Sequence, residues 1–253
     1  MTRATAPAGL WLAPSRGVAS AMPAVVATAA ALHVAPALAR MPTVRNRFPR
    51  INGDGDIGHV ALTFDDGPDP ASTPRFLRCL ERLEVTATFF LLGVNVEKAP
   101  ALARELVQRG HEVAVHGWDH RCLASRGPAG TRRQLRDGAA SVADRTGQVP
   151  TWWRPPYGVL TTSGLLNARG VGLTPVLWGS WGRDWTRHAT GSTVTANIEA
   201  GFRPGVTVLL HDSSCTAAPG SWRSALTALP DLVHRWRDAG LTVGPLRDHG
   251  LRP

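Results

Sequence analysis

Cysteine is scarce in this sequence. The 253 residues include 3 cysteines, which are Cys79, Cys122 and Cys215, and no two of them form a Cys-x-x-Cys pair. Three thiols cannot build a disulfide-dense framework, so the class of small, disulfide-stapled domains is excluded. One disulfide together with one buried thiol is compatible with this number.

Lysine is almost absent as well. Lys98 is the only lysine, so arginine supplies nearly all of the positive charge behind a net charge of +9. A basic chain favours anionic partners such as nucleic acid or acidic envelope polymers. The arginines are scattered, however, with neither a long basic run nor an aromatic-interleaved stripe. We therefore predict that nucleic acid is not a partner.

Residues 1–57 differ in composition from the remainder. Within them, residues 17–39 contain no Asp, Glu, Lys or Arg and consist mostly of alanine and valine. Alanine contributes little to membrane insertion, so we expect no stable membrane span. We divide the chain into a leader and linker over residues 1–57 and one globular domain over residues 58–253. A single α/β barrel commonly fills a chain of this length.

The order of charged and apolar residues in the leader is typical of a signal peptide. Arg3 and Arg16 precede the apolar run 24–32, and residues 37–39 form a small-x-small cleavage pattern. We therefore expect an exported or cell-envelope protein. The alternative is a cytoplasmic protein with a disordered leader or an additional helix packed on the domain.

From residue 58 onward, short apolar runs alternate with stretches of helical periodicity. The predicted strands are 60–64, 87–92, 112–115, 151–154, 173–178, 207–210 and 241–243. This alternation indicates parallel strands joined by right-handed crossovers, in either an open doubly wound sheet or a barrel. No Gly-x-Gly-x-x-Gly motif follows the first strand, which argues against the nucleotide-binding sheet. We predict an α/β fold, a distorted or incomplete (β/α)7-8 barrel with parallel strands.

Two adjacent carboxylates, Asp65 and Asp66, follow the first predicted strand directly. Neighbouring like charges repel, so such a pair needs a cation, a proton or an arginine. His116 and His120 follow the third predicted strand and can converge on one cation, from a helix or across a tight loop. Because the carboxyl ends of barrel strands share one rim, these four side chains are candidates for a common metal site.

The fourth predicted strand ends in a proline-rich segment. Arg154 is followed by Pro155 and Pro156, and two prolines restrict the backbone. The amides of Tyr157 and Gly158 are therefore held in one direction, as an oxyanion site requires. Arg154 is always charged and is suited to hold a carboxylate in bidentate fashion.

The polar strand ends occur in a characteristic order. His211 ends the sixth predicted strand, and Asp184-Trp185 follows the fifth. With Thr63-Phe64-Asp65-Asp66-Gly67-Pro68, the His pair and Arg-Pro-Pro-Tyr-Gly, they resemble the five ordered motifs of polysaccharide deacetylases of the NodB-homology type, carbohydrate esterase family 4. The resemblance covers residues 58–248. It implies a metal-dependent hydrolase on a distorted barrel that removes N-acetyl groups from amino sugars.

The resemblance implies a role for each candidate residue. Asp66, His116 and His120 would hold one divalent metal, with Zn²⁺ favoured and Co²⁺, Ni²⁺, Mn²⁺ or Fe²⁺ compatible. For attack by metal-bound water, Asp65 would be the base and His211 the acid. Arg154 would orient Asp65, and Asp184 would orient His211. The residues around the acetyl group would be Pro156, Tyr157, Trp185 and Leu209.

This sequence departs from the family pattern at two positions. Gly117 stands where Ser or Thr is usual, and a hydroxyl there could brace the loop and tune metal affinity. Trp181 stands where the first Asp of Asp-x-x-Asp-Trp is usual, so substrate range could differ. We expect most tryptophans to lie in the core, with some available to stack on sugar rings.

A disulfide is also predicted from position alone. Cys122 lies two residues after His120, and Cys215 lies four residues after His211. Both loops are predicted at the same rim, so a Cys122–Cys215 disulfide would brace the site. The alternative is two unpaired, partly buried thiols.

Three functions are compatible with this sequence. The first is a hydrolase that deacetylates an N-acetylated glycan, with a monomer favoured. The second is an O-acetyl esterase acting on xylan-like polymers. The third is a non-catalytic, metal-retaining carbohydrate-binding module. The polymer itself stays open among peptidoglycan, chitin-like oligomers and lipid-linked or secondary-metabolite amino sugars.

Overall fold

The computed structural model describes residues 16–252, with side chains described from residue 23 onward except at residue 42. Arg3 and the side chain of Arg16, which belong to the predicted signal peptide, lie outside this part of the chain.

The described residues form one sheet of parallel strands. The strands are His59–Asp65 (β1), Thr88–Leu91 (β2), Glu112–Val115 (β3), Trp152–Trp153 (β4), Thr174–Pro175 (β5), Ser180–Trp181 (β6), Thr207–His211 (β7) and Thr242–Gly244 (β8). Their order is β5-β4-β3-β2-β1-β7-β6, while β8 pairs with the first half of β1. The sheet curls into a half-barrel, which confirms the predicted incomplete barrel of parallel strands.

Helices flank the sheet. They are Arg16–Val34 (α1), Pro42–Arg45 (α2), Thr73–Arg82 (α3), Gly93–Lys98 (α4), Pro100–Gln108 (α5), Pro128–Thr146 (α6), Thr162–Gly170 (α7), Gly191–Gly201 (α8) and Trp222–Asp238 (α9). Short 3-10 helices cover Ala35–Arg40, Leu123–Ser125, Pro156–Gly158 and Leu246–Asp248. Proline stands in the first turn of α3, where the backbone N–H that it lacks would have no partner within the helix, and Ser72 precedes the helix.

The two-residue period of β1 separates the core from the site. Phe64 packs between the sheet and the helices, with Phe76 and Phe89 at ring-centroid distances of 5.2 and 5.0 Å. Ala61, on the opposite face, belongs to the cluster inside the half-barrel. Since successive side chains alternate between faces, Asp65 also points to the interior. The larger apolar side chains of β1 therefore pack against the helices, and Asp65 lies inside the half-barrel.

The predicted strand 173–178 is shorter than expected, and β6 was not predicted. Residues 176–179 cross from β5 at one edge of the sheet to β6 at the other. The guanidinium of Arg154 donates to the carbonyls of Val176 and Leu177, at 3.4 and 3.0 Å. These carbonyls are therefore satisfied by a side chain rather than by a neighbouring strand, which ends β5 early.

Part of the predicted leader packs on the domain. The Asn52 side chain donates to the carbonyls of Ala39, Arg45 and Phe48, which ties this segment into a compact turn. Thr162 of α7 donates to the carbonyl of Leu32 at 2.7 Å. One apolar window, Pro23–Arg40, is long enough to cross a membrane and has a mean hydropathy of 1.3, a test that signal sequences also pass.

The predicted Cys122–Cys215 disulfide is wrong. Cys79, Cys122 and Cys215 are all free thiols in this structure. Cys215 directs its Sγ toward the carbonyl oxygen of Asp66, at 3.7 Å. A shared rim does not bring two cysteines together, because a disulfide also requires their Cβ atoms to face each other.

Candidate active site

Asp65, at the end of β1, is held by an arginine. Arg154 is fully buried and donates from one nitrogen to Asp65 Oδ1 at 2.7 Å and to Thr63 Oγ1 at 2.9 Å. Burial lowers the pKa of Arg154, and the Asp65 charge opposes that effect. The guanidinium also lies 4.0 Å from the centre of the Phe90 ring. Asp65 therefore carries a fixed counter-ion inside the half-barrel.

Asp66 faces two imidazoles instead. Its Oδ1 lies 3.4 Å from His116 Nε2 and 3.3 Å from His120 Nε2. One potential ligand atom from each of these three buried residues lies within 4.8 Å of the others. Thr216 donates to Asp66 Oδ2 at 2.6 Å, which orients the carboxylate. The structure thus brings the three predicted ligands into one cluster that can hold a metal ion.

The two histidines reach Asp66 across a loop, not from a helix. His116 Nδ1 lies 2.9 Å from the Arg154 carbonyl, which accepts its proton and leaves Nε2 facing Asp66. Gly117 has φ +99°, a conformation that favours glycine over Ser or Thr. The side-chain oxygen of Gln134 accepts hydrogen bonds from the backbone N–H groups of Trp118 and Asp119, at 3.0 and 3.3 Å. The Gln134 amide therefore braces this loop.

Burial and neighbouring charge set the protonation of the cluster. Burial and the nearby His116 lower the pKa of His120 to about 4, so its imidazole is neutral at neutral pH. Burial alone would raise the pKa of Asp66, but the neighbouring imidazole of His116 and the charge of His211 lower it well below its usual range. A neutral imidazole and an ionised carboxylate are the forms that bind a divalent metal.

His211, at the end of β7, pairs with Asp184. Its Nδ1 lies 2.9 Å from Asp184 Oδ1, and its backbone N–H donates to Oδ2 at 2.7 Å. Burial by itself lowers the pKa of His211, but Asp184, Asp66 and Asp65 together raise it to about 10. His211 is therefore an imidazolium at neutral pH, with its proton-bearing Nε2 on the side away from Asp184.

The proline-rich segment forms a short turn beside His120. Tyr157 has φ +59°, and its ring centroid lies 4.5 Å from that of His120. Pro156 is buried and does not line the cavity described below. Its ring would lie 3.8 Å from a Cβ added at Gly117, so it packs against the histidine loop. Of these two predicted substrate-binding residues, Tyr157 therefore lines the cavity, whereas Pro156 lies behind it.

A cavity of about 220 Å³ opens over these groups. It is lined by Asp65, His116, His120, Tyr157, Gly158, Trp178, Trp181, Trp185, Leu209, His211 and Thr216. Asp66 and Asp184 lie beneath it and are almost fully buried. One cavity therefore joins the carboxylate, the imidazole cluster and the imidazolium.

Sequence reasoning missed several residues of this site. Thr216 and Trp178 line the cavity, and Gln134 braces its histidine loop. Arg40, from the predicted leader, places its guanidinium 4.0 Å from the centre of the Trp178 ring. No local pattern marks these residues, since each depends on a contact between distant parts of the chain.

The fold and the site together define a class of protein. It is a parallel α/β half-barrel whose strand ends carry an ion-paired aspartate, a buried Asp-His-His cluster and an aspartate–histidine pair. The profile of the family described as polysaccharide deacetylase matches residues 52–176. The chain belongs to this family of polysaccharide deacetylases, with NodB homology.

Similar proteins agree with this membership. A chitooligosaccharide deacetylase of Bradyrhizobium sp. (strain ANU 289) is 35% identical over 211 residues, which cover 80% of this chain and 94% of that one. The peptidoglycan-N-acetylglucosamine deacetylase PgdA of Listeria monocytogenes is 38% identical over 170 residues, 67% of this chain. The match spans only 35% of the length of PgdA.

The fold also matches a solved structure. The Bc1960 peptidoglycan N-acetylglucosamine deacetylase, crystallised with a hydroxamate-bearing benzamide, has a TM-score of 0.72 and 30% sequence identity. The match covers 77% of this chain and 90% of that one. The relatives are named as deacetylases of amino sugars, which are hydrolases of carbon–nitrogen bonds.

Proposed function

We propose that this chain is a metal-dependent hydrolase that removes N-acetyl groups from amino-sugar glycans. One observation carries the proposal: two adjacent carboxylates have different partners. Asp65 is paired with Arg154 at 2.7 Å, whereas Asp66 faces His116 and His120. A metal-dependent hydrolase needs one carboxylate to bind the metal and another to accept the proton of the attacking water.

The cluster fits a divalent metal. Asp66 Oδ1 is buried and makes no hydrogen bond within the described part of the chain, although two imidazole nitrogens lie 3.3 and 3.4 Å from it. A buried carboxylate oxygen without a partner is costly, and a cation shared with both imidazoles removes that cost. Asp66, His116 and His120 would hold the ion, with positions left open for water and substrate.

The donor set favours Zn²⁺. Two imidazoles and one carboxylate suit Zn²⁺, and Co²⁺, Ni²⁺, Mn²⁺ and Fe²⁺ accept the same ligands. When bound, the metal lowers the pKa of a water molecule and polarises the acetyl carbonyl.

Asp65 is the proposed general base. Arg154 fixes its Oδ1, while Oδ2 lies 3.8 Å from His116 Nε2, on the side of the cluster. The fixed oxygen orients the carboxylate, and the other oxygen accepts the proton of the attacking water. Arg154 also supplies Asp65 with a fixed counter-charge.

His211 is the proposed general acid. Its raised pKa means that the imidazolium reaches the reaction with its proton in place. Nδ1 is bound to Asp184, so Nε2 is the atom that donates to the departing amine as the carbon–nitrogen bond breaks. Asp184 holds the ring in one orientation throughout.

The acetyl group has a small apolar place beside these residues. Trp185 and Leu209 line the cavity next to His211, and the Trp185 ring lies 5.5 Å from that of His211. The turn at Tyr157, on the opposite side, presents backbone to the cavity, where a fixed N–H can stabilise the developing oxyanion. These positions give substrate-binding roles to Tyr157, Trp185 and Leu209, and a supporting role to Pro156.

Acetate release from a panel of acetylated glycans tests this function. The panel contains peptidoglycan fragments, chitooligosaccharides and O-acetylated xylan. We expect release from the N-acetylated substrates, loss of activity with a chelator, and recovery on addition of Zn²⁺ or another divalent ion. Release from acetylated xylan alone would assign an esterase. Binding of metal and glycan with no release from any substrate would assign a carbohydrate-binding module.

The cellular setting follows from the same proposal. A substrate such as peptidoglycan lies outside the cytoplasm, which agrees with export guided by the apolar segment near the N-terminus. Cell fractionation of the full chain checks this location. A full-length chain found in the cytoplasm would contradict it.

A further inference from the structure

Three tryptophans form one side of the cavity. We call Trp178, Trp181 and Trp185 the tryptophan wall. Their ring centroids follow one another at 5.8 and 5.0 Å, and all three line the cavity. Only Trp185 belongs to the proposed acetyl pocket. Indole faces stack on sugar rings, so the partly exposed Trp181 extends the site beyond the acetylated sugar, and the buried Trp178 lies behind it.

Two guanidinium groups lie against this wall. Arg40 lies 4.0 Å from the centre of the Trp178 ring and 5.3 Å from that of Trp181. Arg183, which is exposed, lies 5.2 Å from the centre of the Trp181 ring. Both arginines are therefore held beside the cavity by cation–π contacts, at distances typical of such pairs.

Neither arginine has an acidic partner. Among the described residues, no carboxylate oxygen lies within 4.0 Å of Arg40 or Arg183, although many other arginines form ion pairs. The carboxylates closest to the cavity are already engaged: Asp65 by Arg154, Asp66 by the two imidazoles and Asp184 by His211. The wall thus presents positive charge that nothing in the site neutralises.

Arg40 is also partly removed from water. Burial, followed by the charges of Arg154 and Arg45, lowers the pKa of Arg40 to about 10. Its guanidinium donates to the Tyr157 carbonyl at 3.4 Å, and a Cβ at Gly158 would lie 2.5 Å from it. Gly158 therefore permits this close approach, and the remaining N–H groups of Arg40 are available to a ligand.

A second cavity adjoins the first at this point. It is lined by Ala37, Arg40, Met41, Tyr157, Gly158 and Val159. Tyr157 and Gly158 line both cavities, so a glycan seated over His120 continues directly toward Arg40. The surface beyond the acetyl pocket is therefore aromatic and cationic together.

We propose that Arg40 and Arg183, with the tryptophan wall, form a subsite for a negatively charged substituent of the sugar next to the one that is deacetylated. The inference rests on the proposed function. A carboxylate or a phosphate would accept hydrogen bonds from the two guanidinium groups while the sugar ring stacks on indole. The substrate of this chain is then an acidic N-acetylated glycan rather than a neutral one.

Matched substrates test the subsite. The first pair is an oligosaccharide of N-acetylglucosamine and N-acetylmuramic acid, with its lactyl carboxylate either free or methyl-esterified. The second pair is the disaccharide of N-acetylglucosamine with and without a phosphate on the anomeric oxygen of its reducing sugar, which tests phosphate. We expect kcat/KM to be about 10-fold higher for the charged member of one pair, because charged hydrogen bonds are the strong ones. The favoured pair identifies the anion.

Variants locate the effect. Arg183→Gln and Arg40→Gln should each reduce the ratio of charged to neutral kcat/KM several-fold, and Arg40→Lys should retain most of it. Arg104→Gln, an exposed arginine on α5, is the matched control and should leave the ratio unchanged. Equal rates within both pairs, or ratios that none of the variants changes, would overturn the subsite.

Binding separates this inference from the proposed function. Isothermal titration of the full chain with the free and the methyl-esterified oligosaccharide measures the same preference without turnover. Absence of acetate release with a preserved binding preference would reject the hydrolase and keep the subsite. Acetate release with equal affinity for both ligands would reject the subsite and keep the hydrolase.

Discussion

His211 at the cavity end of the half-barrel and His249 at the other end are held in opposite charge states. At the cavity end, His211 contacts the Asp184 carboxylate, and its pKa is raised to about 10. At the other end, His59 Nδ1 lies 2.9 Å from His249 Nδ1. Burial and the charge of His59 lower the pKa of His249 to about 4. The partner, rather than the burial, decides whether the imidazole is charged.

The hydrogen bonds at the distal end explain its neutrality. His249 Nε2 lies 3.1 Å from the Gly205 carbonyl and 3.3 Å from that of Gly53, so it carries the proton. His249 Nδ1 then accepts from His59 Nδ1–H. Each imidazole is satisfied without a charge. The His59–His249 pair is therefore uncharged, whereas the cavity end holds the charged groups that the proposed reaction uses.

The largest expected effect is at the cavity end. Asp65→Asn should lower kcat by about 10²–10⁴-fold, because the amide cannot accept the proton of the attacking water. Metal content, measured by elemental analysis, should be retained, since Asp66, His116 and His120 are unchanged. Asp144→Asn, at an exposed position of α6, is the control and should have full activity. An unchanged rate in Asp65→Asn would remove this residue from the mechanism.

Removing the carboxylate partner of His211 should bring its pKa closer to that of His249. Asp184→Asn should lower the pKa of His211, because the Asp184 charge is the main factor that raises it. The alkaline limb of the pH–rate profile should therefore move to lower pH, and kcat at pH 8 should fall by about 10- to 100-fold. A limb that stays in place would show that another group donates the proton. Asp231→Asn on α9 is the matched control.

The distal end should respond to acid. The unfolded chain binds protons at histidine below pH 6.5, whereas folded His249 binds one only near pH 4. The free energy of unfolding should therefore fall as the pH decreases from 6.5 toward 4, by about 2 kcal/mol at pH 5 from His249. His211 contributes in the opposite direction, since its stabilisation is complete below pH 6.5 and is lost as the pH rises through 10.

Urea unfolding at pH 7 and pH 5 measures this difference. His249→Gln should lose stability at pH 7 but show a smaller decrease on acidification than the wild type. His234→Gln, an exposed histidine on α9, should behave like the wild type. The same pH dependence in all three proteins would exclude His249 as the source.

The smallest effect should come from a residue that acts through Asp66. Thr216→Val removes the hydrogen bond to Asp66 Oδ2, which should weaken metal affinity by about 10-fold. Competition with a chromophoric chelator measures this affinity. Thr227→Val, whose hydroxyl bonds only to its own helix, is the control. Equal affinity in wild type and Thr216→Val would limit Thr216 to lining the cavity.

The place of several site residues was predictable because they lie directly at strand ends. Asp65, Asp66 and His211 follow apolar runs, and parallel strands bring their carboxyl ends to one rim. Strand β6 was not predictable, because its two residues pair only after the chain crosses the barrel opening. The Cys122–Cys215 disulfide was predicted from a shared rim alone, which does not specify the direction of a side chain.

By itself, the sequence determined the class of fold and which polar residues lie at its rim. Apolar periodicity and the order of polar strand ends are local properties, because they depend on residues that are close in the sequence and not on packing. Only the tertiary structure decided where Gln134 and Thr216 act, and that Arg40 reaches the cavity from a distant part of the chain. These contacts join residues far apart in sequence, and packing in three dimensions alone brings them together.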